Sequence, residues 1–354
     1  MRLGLIGPPQ SGKTMLFSAI TGRAIDPAAA VQEQMASVSM PDERLEWVAQ
    51  QQRPKRVTPA SLEFVDVPGF SLATAHGRAE FLRHVPSLRQ CDGLVAVVRG
   101  FADVSVPAYR ERIDPPADLK ELREELLLAD LEQVTNRLDR LDKQSRKPTA
   151  HKEADKHEME LLRRCQEALE QEHPLSAVSQ SEEEARLLRS FAFLTEKPLV
   201  AVLNVSEQEA ANPPVLEAAG GRTSLSLCAK LEAEIEQLAE ADRGTFLAEL
   251  GISEPAARRV TRACYEALGL ISFFTCNEQE ARAWSVPRGT KALEAAGKIH
   301  TDMARGFIRA EVVAFADLRA AGGFKQAKAT GKIRLEGKEY EVQDGDVILF
   351  RFNV

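Results

Sequence analysis

The amino-terminal stretch LGLIGPPQSGKT (residues 3–14) contains a strand-like run, a glycine-rich loop and the start of a helix. The apolar run LGLI (3–6) is typical of a buried strand. The residues that follow, Gly7-Pro8-Pro9-Gln10-Ser11-Gly12-Lys13-Thr14, match the phosphate-binding pattern GxxxxGK[ST] in full. The stretch TMLFSAIT (14–21) predicts a helix that begins directly after the loop. A strand, this loop and a helix in succession predict a P-loop nucleotide-binding domain of the α/β class.

The whole loop, residues 7–14, is therefore a candidate nucleotide-binding segment. Only a glycine-rich turn lets successive backbone N–H groups point inward around phosphate oxygens. The amino terminus of the following helix adds partial positive charge. We expect Lys13 to reach the β- and γ-phosphates and the Thr14 hydroxyl to bind Mg²⁺. Lys13 and Thr14 are the candidate catalytic residues.

A second phosphate-proximal motif, DVPG (66–69), ends the strand-like run LEFVD (62–66). In P-loop proteins an Asp at this position holds Mg²⁺ and the Gly contacts the γ-phosphate, so Asp66 joins Thr14 as a metal candidate and Gly69 as a nucleotide candidate. Phe70 stands where many GTPases carry a Gln that orients the attacking water. Because Phe cannot orient water, we expect slow hydrolysis, and we expect Phe70→Ala to change it little.

The motif NVSE (204–207) follows the strand-like run LVAVL (199–203). Ras-like GTPases carry NKxD here, and its Asp pairs with guanine, whereas this chain has Val205 and Glu207 at those positions. Adenine lacks the N1–H and N2 donors of guanine, so we expect ATP to be preferred over GTP. The triplet CAK (228–230) lies where a base-supporting loop follows. The candidate base-binding residues are Asn204, Val205, Glu207, Cys228 and Ala229.

The spacing of apolar residues indicates three regions. Strand-like runs, including LVAVV (94–98), alternate with helical stretches, which predicts a parallel sheet. Residues 118–170 carry apolar residues at helical spacing among many charges, which predicts an antiparallel helical hairpin. From residue 272, the short runs ISFFT, ARAWSV, KIRLEG, KEYEV and DVILFRF predict a small β-rich domain with a helix. We expect a nucleotide-binding domain at 1–117 and 196–271, a helical insertion at 118–195, and a C-terminal domain at 272–354.

Composition bounds the other functions. The formal net charge is −7, so the molecule as a whole does not resemble a polyanion binder. The five cysteines are scattered and form no CxxC pair, which indicates neither a zinc site nor a disulfide framework. No apolar run is long enough to span a bilayer, and none near Met1 fits a signal peptide. We expect a cytoplasmic, monomeric protein with no membrane partner.

These motifs, in this order, resemble the YchF/Obg-like ATPase family within the Obg group of P-loop proteins. The likeness rests on GPPQSGKT, DVPGF, NVSE and CAK, with a helical insertion between the second and the third. The C-terminal runs RAWSVPRGTKALEAAGKIHTDMARGFIRAEV and GKIRLEGKEYEVQDGDVILFRFNV extend it over nearly the whole chain. The resemblance implies a Ras-like G domain with a C-terminal TGS domain, which is a β-grasp module. It also implies a preference for ATP, a hydrophobic residue in place of the catalytic Gln, and association with ribosomes.

The chain departs from the family pattern at three places. Gln10-Ser11 stands where the family usually carries Asn-Val, and the segment after Gly69 is shorter than usual. The family's Mg²⁺-binding switch I Thr falls near Ala30, and no Thr lies between Gly22 and Thr58. Nucleotide binding is therefore a firmer expectation than efficient turnover. Two alternatives to an ATPase switch stay open: an Obg-type GTPase, and a non-hydrolysing protein that binds ribosomes or RNA in a nucleotide-dependent way.

Three further features carry weaker expectations. A basic set in the C-terminal domain predicts docking on RNA or on the ribosome, with plain solvated surface charge as the alternative: Arg305, Arg309, Lys325, Lys328, Lys332, Arg334, Lys338 and Arg351. His76 follows the DVPGF turn, and we expect a surface position rather than one at the phosphate. We expect a packing or hydrogen-bonding role for His300. The family resemblance also raises redox regulation, but no cysteine stands out as reactive.

Overall fold

The computed structural model describes residues 1–25, 32–145, 152–216 and 223–353. The chain forms two compact units. The first comprises Met1–Ala36 and Glu63–Val260, and the second comprises Ser37–Leu62 and Thr261–Val354. None of the helices in the described ranges combines the length and the apolar composition that a membrane crossing needs.

The described residues up to 216 form these strands and helices: β1 (Arg2–Ile6), α1 (Lys13–Thr21), β2 (Gln34–Met40), α2 (Glu43–Gln52), β3 (Arg56–Thr58), β4 (Ala60–Asp66), α3 (Ala75–Arg89), β5 (Gly93–Arg99), α4 (Pro115–Ser145), α5 (Lys152–Glu170), α6 (Glu182–Phe191) and β6 (Leu199–Asn204). The described residues from 223 form the remaining elements: β7 (Ser224–Leu227), α7 (Ala229–Glu236), α8 (Glu240–Glu249), α9 (Ala256–Ala267), β8 (Leu270–Cys276), β9 (Glu280–Pro287), α10 (Ala292–Ile299), α11 (Thr301–Arg305), β10 (Phe307–Ala314), α12 (Phe315–Ala321), α13 (Phe324–Ala329), β11 (Arg334–Glu336) and β12 (Asp346–Phe352).

The first sheet has the strand order β2-β4-β1-β5-β6-β7. The ladders that join β4, β1, β5, β6 and β7 are all parallel, as the sequence predicts. Every residue of β5 and β6 is buried. Strands covered on both faces read as continuous apolar runs, which explains why LVAVV and LVAVL stand out in the sequence. Strand β2 contains few large apolar residues and was not predicted.

The helical hairpin consists of α4 and α5, which pack against each other around a core of their own. Val134 and Leu141 of α4 are fully buried with Leu161 and Cys165 of α5 in this core. The Arg137 guanidinium donates to both carboxylate oxygens of Glu158, at 2.7 and 2.8 Å. The apolar spacing thus predicts the two helices correctly, although α4 already begins at Pro115.

The second sheet has the order β11-β10-β12-β8-β9-β3. Strands β8 and β9 form an antiparallel hairpin, β12 pairs with β8 in parallel, and β10 pairs with β12 in the antiparallel sense. Helix α10 packs on one face through Ala292, Ala295 and Ala296. A hairpin, a covering helix and a central parallel pair make the β-grasp topology that the resemblance implies.

Two details of this sheet differ from the prediction. The run KEYEV (338–342) forms no strand; Lys291 and Glu341 make an isolated bridge there. The turns at 338–339 and 344–345 leave too few residues between them for a ladder. Strand β10 was missed because Arg309 and Glu311 interrupt its apolar character. Both charged residues alternate with the buried Ala310 and Val312, which is the period of a half-buried strand.

Segment 37–62 belongs to the second unit, although the predicted nucleotide-binding domain, 1–117, includes it. Leu45 and Val48 of α2 are buried with Phe274 of β8 in one apolar cluster. Strand β3 pairs in parallel with β9, with Arg56 opposite Glu280. The predicted boundaries at 118, 196 and 272 stay predictions.

Candidate nucleotide-binding site

The motifs found in the sequence meet at one edge of the first sheet. The loop 7–12 follows β1, Asp66 ends β4, Asn204 ends β6, and Cys228 follows β7. Because these strands are parallel, their carboxyl ends lie at the same edge, where α/β proteins bind ligands. The structure therefore brings together residues that are up to about two hundred positions apart in the chain.

Two positions of the loop, Gly7 and Gly12, have room only for glycine because neighbouring atoms lie where a Cβ atom would be. Gly12 has φ 94 and precedes α1, and a Cβ there would lie 2.0 Å from the Nδ2 atom of Asn204. A Cβ on Gly7 would lie 2.3 Å from the carbonyl oxygen of Val97. Gln10 has φ 59, a left-handed conformation that costs a residue with a side chain about 1–2 kcal/mol. The loop is thus held in a conformation that few sequences adopt.

The Lys13 side chain folds back onto the loop. Its ammonium donates to the carbonyl oxygens of Gly7 and Pro8, each at 2.9 Å, and the residue is buried. Burial lowers the pKa of Lys13 to about 8, and the negative charge of Asp66 partly opposes this shift. At neutral pH the ammonium is still mainly charged, and it lies against the backbone of the loop.

Asp66 and Thr14 lie next to each other. The Thr14 hydroxyl hydrogen-bonds to the Asp66 carboxylate, which is buried. Burial raises the pKa of Asp66, while the bond from Thr14 and the charge of Lys13 work in the opposite direction. The Oδ1 atom of Asp66 has no hydrogen-bond partner among the described residues. A buried carboxylate oxygen without a partner, beside a hydroxyl, is a donor set that suits a hard cation such as Mg²⁺.

Asn204 connects the phosphate loop to the loop after β7. Its Nδ2 atom donates to the Ser11 carbonyl oxygen at 3.0 Å, and its Oδ1 atom accepts from the Ala229 N–H at 2.9 Å. The side chain is 4% exposed. Asn204 therefore fixes the distance between the two loops, a role that its place in the NVSE motif does not reveal.

Two predicted base-binding residues point elsewhere. The Val205 side chain lies in the apolar core of the first unit, where it is 2% exposed. The Cys228 side chain is buried in the same core, and burial raises the pKa of its thiol. Only the backbone of these two positions is left to contact a nucleotide.

Glu207 forms an ion pair that the sequence did not predict. The Lys230 ammonium donates to the Glu207 Oε1 atom at 2.7 Å. The Glu207 side chain is 53% exposed and the Lys230 side chain is 61% exposed, so the pair lies at the surface. Lys230 was visible in the CAK triplet but was not among the predicted site residues.

The residues after Asp66 separate into two environments. A Cβ on Gly69 would lie 3.0 Å from the Lys13 ammonium nitrogen and 3.1 Å from the Pro9 Cα, so Gly69 lies directly against the loop. The Phe70 side chain turns away into the core, where it is 1% exposed and its ring centroid lies 4.7 Å from that of Phe81. Phe70 therefore has a structural role that the expectation for Phe70→Ala did not include.

The remaining candidates lie outside this site. The His76 side chain is 80% exposed beside Glu80, and His300 caps α11 by accepting from the Asp302 N–H. All five cysteines are free, and burial raises the pKa of each thiol: Cys91, Cys165, Cys228, Cys264 and Cys276. The switch I position near Ala30 lies outside the described residues. The nucleotide-binding and metal-binding roles assigned above stay predictions.

The predicted docking residues of the second unit fall into two groups. Four form ion pairs with carboxylates of the same unit: Arg305, Lys332, Arg334 and Arg351. The other four are exposed and form no ion pair with any described residue: Arg309, Lys325, Lys328 and Lys338. Only the second group offers uncompensated positive charge.

Two protein-family models match the chain. Residues 2–137 match the family described as 50S ribosome-binding GTPase. Residues 270–353 match the YchF GTPase C-terminal family, described as a protein of unknown function (DUF933).

Curated relatives match along nearly the whole chain. It is 41% identical over 370 residues to the ribosome-binding ATPase YchF of Bacillus subtilis, with 99% of each chain covered. It is 36% identical to the ribosome-binding ATPase YchF of Escherichia coli O157:H7, covering 100% of this chain and 99% of that one. It is also 34% identical to Obg-like ATPase 1 of Oryza sativa subsp. japonica, covering 100% and 92% respectively.

Solved structures share the fold. The YchF GTPase of Schizosaccharomyces pombe has a TM-score of 0.82 at 29% identity, covering 99% of this chain and 97% of that one. A GTP binding protein of Pyrococcus horikoshii OT3 has a TM-score of 0.59 at 17% identity over the full length of both chains, which shows a shared fold alone. The predicted fold class, a P-loop α/β domain with a helical hairpin and a C-terminal β domain, is thereby confirmed.

Proposed function

This chain belongs to the YchF family, as its motifs predict, and from that premise we propose that it is a slow ATP hydrolase that associates with the ribosome. One observation carries the enzymatic part of the proposal. The Lys13 ammonium is buried against the phosphate loop, and the Asp66–Thr14 pair lies beside it with a carboxylate oxygen free.

Lys13 and the backbone of residues 7–14 bind the triphosphate. The loop N–H groups and the amino terminus of α1 supply donors and partial positive charge. Thr14 and Asp66 hold Mg²⁺, which when bound neutralises charge on the β- and γ-phosphates. The free Oδ1 atom of Asp66 supports this assignment, because a buried carboxylate oxygen otherwise lacks any partner among the described residues.

Slow turnover follows from the position of Phe70. In GTPases with a Gln after the DxxG glycine, that side chain orients the attacking water. Here the side chain at that position is in the core and cannot reach the site. We expect an intrinsic rate near that of unassisted GTPases, which is on the order of 10⁻⁴–10⁻² per second.

Preference for ATP over GTP is supported by Glu207. Its carboxylate is paired with Lys230, and Val205 lies in the core rather than beside a base. Neither residue presents the free carboxylate that reads the guanine N1–H and N2 donors.

The test measures binding and turnover in the same preparations. Purified protein with Mg²⁺ is titrated with ATP and GTP, and phosphate release is followed at saturation. We expect tighter ATP binding, slow release, and loss of both activities in Lys13→Ala. Lys120→Ala is the matched control, because Lys120 is 77% exposed on α4. A tenfold preference for GTP, about 1.4 kcal/mol, would contradict the ATP assignment, and binding without phosphate release would favour a non-hydrolysing binding protein.

Ribosome association rests on the family and on the uncompensated basic residues of the second unit. Lys325 and Lys328 lie on α13, are exposed and have no ion pair within the described ranges. Lysines that neutralise RNA phosphates release counterions, so binding of this kind weakens as salt rises. A ribosomal partner implies a cytoplasmic site of action, and we retain the predicted monomer.

Point substitutions test docking better than truncation does. Removing residues 275–354 would leave α2 and β3 without the strands they pack on. We expect the double variant Lys325→Glu/Lys328→Glu to lose co-sedimentation with purified ribosomes at low salt while it binds ATP normally. The control is Lys120→Glu/Lys156→Glu on the helical hairpin, where both lysines form i,i+4 ion pairs. Loss in the hairpin variant with retention in the first would assign docking to the hairpin.

A further inference from the structure

The backbone on both sides of the Glu207–Lys230 pair is tied to the phosphate loop through Asn204. Glu207 begins a short 3₁₀ turn, Glu207–Glu209, three residues after Asn204. Glu209 caps this turn, because its Oε2 atom accepts from the Ser206 N–H and from the Ser206 hydroxyl, at 3.2 and 2.6 Å. The Glu207 carboxylate is not used by the turn and is left for Lys230.

Lys230 is fixed from the opposite side. It is the second residue of α7, and the N–H of the preceding residue, Ala229, is bonded to Asn204. The same Asn204 side chain donates to the loop carbonyl of Ser11. The Asn204 side chain therefore joins the backbone of the phosphate loop to the backbone beside Lys230, and these two hydrogen bonds place the ion pair next to the proposed nucleotide site.

This arrangement changes what Glu207 can recognise. A carboxylate that reads guanine accepts from both N1–H and the N2 amino group. Here the Oε1 atom already accepts from an ammonium, and that bond raises the pKa of Lys230. Guanine must compete with Lys230 for the Oε1 atom before both carboxylate oxygens can read it, whereas adenine has no N1–H or N2 donor and meets no such competition.

We propose that Lys230 is a positioning residue for nucleotide specificity, which withholds the Glu207 carboxylate from guanine. The inference rests on the proposed ATP preference and deepens it. It assigns the discrimination to an ion pair and not to the length of the Glu side chain alone.

The experiment measures dissociation constants of the full-length protein for ATP and GTP with Mg²⁺, by competition against a fluorescent ATP analogue. The variants are Lys230→Met, Lys230→Arg, Glu207→Gln and the double variant Glu207→Gln/Lys230→Met. Both residues are more than half exposed, so thermal unfolding is expected to stay unchanged and serves as the folding check.

Lys230→Met is expected to raise the affinity for GTP relative to ATP by about two- to fivefold, the range of an exposed ion pair. Lys230→Arg keeps the wild-type ratio, because it keeps the charge. In the Glu207→Gln background, Lys230→Met causes no further change, because the carboxylate is gone. In the wild type, the affinity for GTP relative to ATP rises with salt concentration, because salt screens the Glu207–Lys230 ion pair.

The failures are distinguishable. If the wild type prefers ATP and Lys230→Met has the same ratio, the inference is overturned and the proposed function stands. If Lys230→Met shifts the ratio equally in the Glu207→Gln background, Lys230 acts directly on the base and the positioning role is overturned. If the wild type binds neither nucleotide, or prefers GTP, the proposed function fails and the inference fails with it.

Discussion

The substitution Phe70→Ala separates a structural role from a catalytic one at the position after the DxxG glycine. The Phe70 side chain is 1% exposed, and its ring lies against that of Phe81 at a centroid distance of 4.7 Å and an interplanar angle of 48°. Both rings belong to the apolar cluster under the first sheet. Removing the ring opens a cavity in this core and deletes the aromatic contact.

The expected loss of unfolding free energy is about 3–5 kcal/mol, the range for truncating a buried Phe to Ala. The aromatic pair accounts for about 0.5–1.5 kcal/mol of it. A loss of this size raises the unfolding equilibrium constant by two to nearly four orders of magnitude, at about 1.4 kcal/mol for each factor of ten. Phe70→Leu retains most of the apolar volume, and we expect a loss of about 1–2 kcal/mol.

The assay must report on the first unit. Both tryptophans, Trp47 and Trp284, belong to the second unit, so their fluorescence reports on the wrong part of the molecule. Urea unfolding is therefore monitored by the hydrogen exchange of backbone amides in β4 and α3, which lie on either side of Phe70 in the chain. The matched control is Phe246→Ala, which removes a ring that is 45% exposed and should cost less than about 0.5 kcal/mol.

Turnover per folded molecule should be unchanged in Phe70→Ala, because the ring does not reach the phosphate loop. A variant with wild-type stability and abolished hydrolysis would refute this reasoning and place the Phe70 side chain in the chemistry. Lost hydrolysis that recovers when ATP or low temperature restores folding would support it.

Three further outcomes follow from single residues. Gly12→Ala places a Cβ 2.0 Å from an amide nitrogen at φ 94, so we expect ATP binding to fall below detection in a fluorescence titration; near wild-type affinity would contradict the loop geometry. Burial raises the pKa of Asp118 to about 6 from an ordinary value of 3.8. Ionisation of its carboxyl group therefore lowers the free energy of unfolding progressively as pH rises from about 4 to 6. Asp118→Asn should therefore stabilise the protein by about 1–3 kcal/mol at pH 7.5 and hardly at all near pH 3.5 in urea titrations, and an equal gain at both pH values would disprove the assignment. Asp130→Ala should cost about 3–5 kcal/mol, because it leaves the Arg89 guanidinium without its buried carboxylate; a change under about 1 kcal/mol in the same assay would show that the pair is not needed.

The strand–loop–helix unit that carries the predicted phosphate site could be predicted from sequence because its elements are local. The strand, the loop and the first turn of α1 are contiguous in residues 2–21, and the glycines are required by nearby backbone. The position of Asp66 beside the loop could be predicted because Asp66 ends an apolar strand, and parallel strands end at a common edge.

The rest depended on side-chain directions and distant contacts. Val205 and Glu207 stand in one motif, but strand geometry puts the first into the core and a 3₁₀ turn puts the second at the surface. Segment 37–62 packs on strands more than two hundred residues later, and nothing in its own sequence indicates those partners. The sequence analysis considered only that Phe70 cannot orient a water molecule, whereas the structure shows that its ring packs against Phe81.

The helix after the DxxG motif is bound to the helical hairpin by buried charge, and this limits how the site can respond to a nucleotide. Arg89 of α3 donates to the Asp130 carboxylate of α4, which is fully buried and also accepts from the backbone at Leu194 and Thr195. Breaking such a pair costs about 3–5 kcal/mol, whereas ligand-driven couplings between sites are typically about 1–3 kcal/mol. We therefore expect α3 and α4 to stay paired when a nucleotide binds. A change at Gly69 would then involve chiefly the residues between the end of β4 and the start of α3.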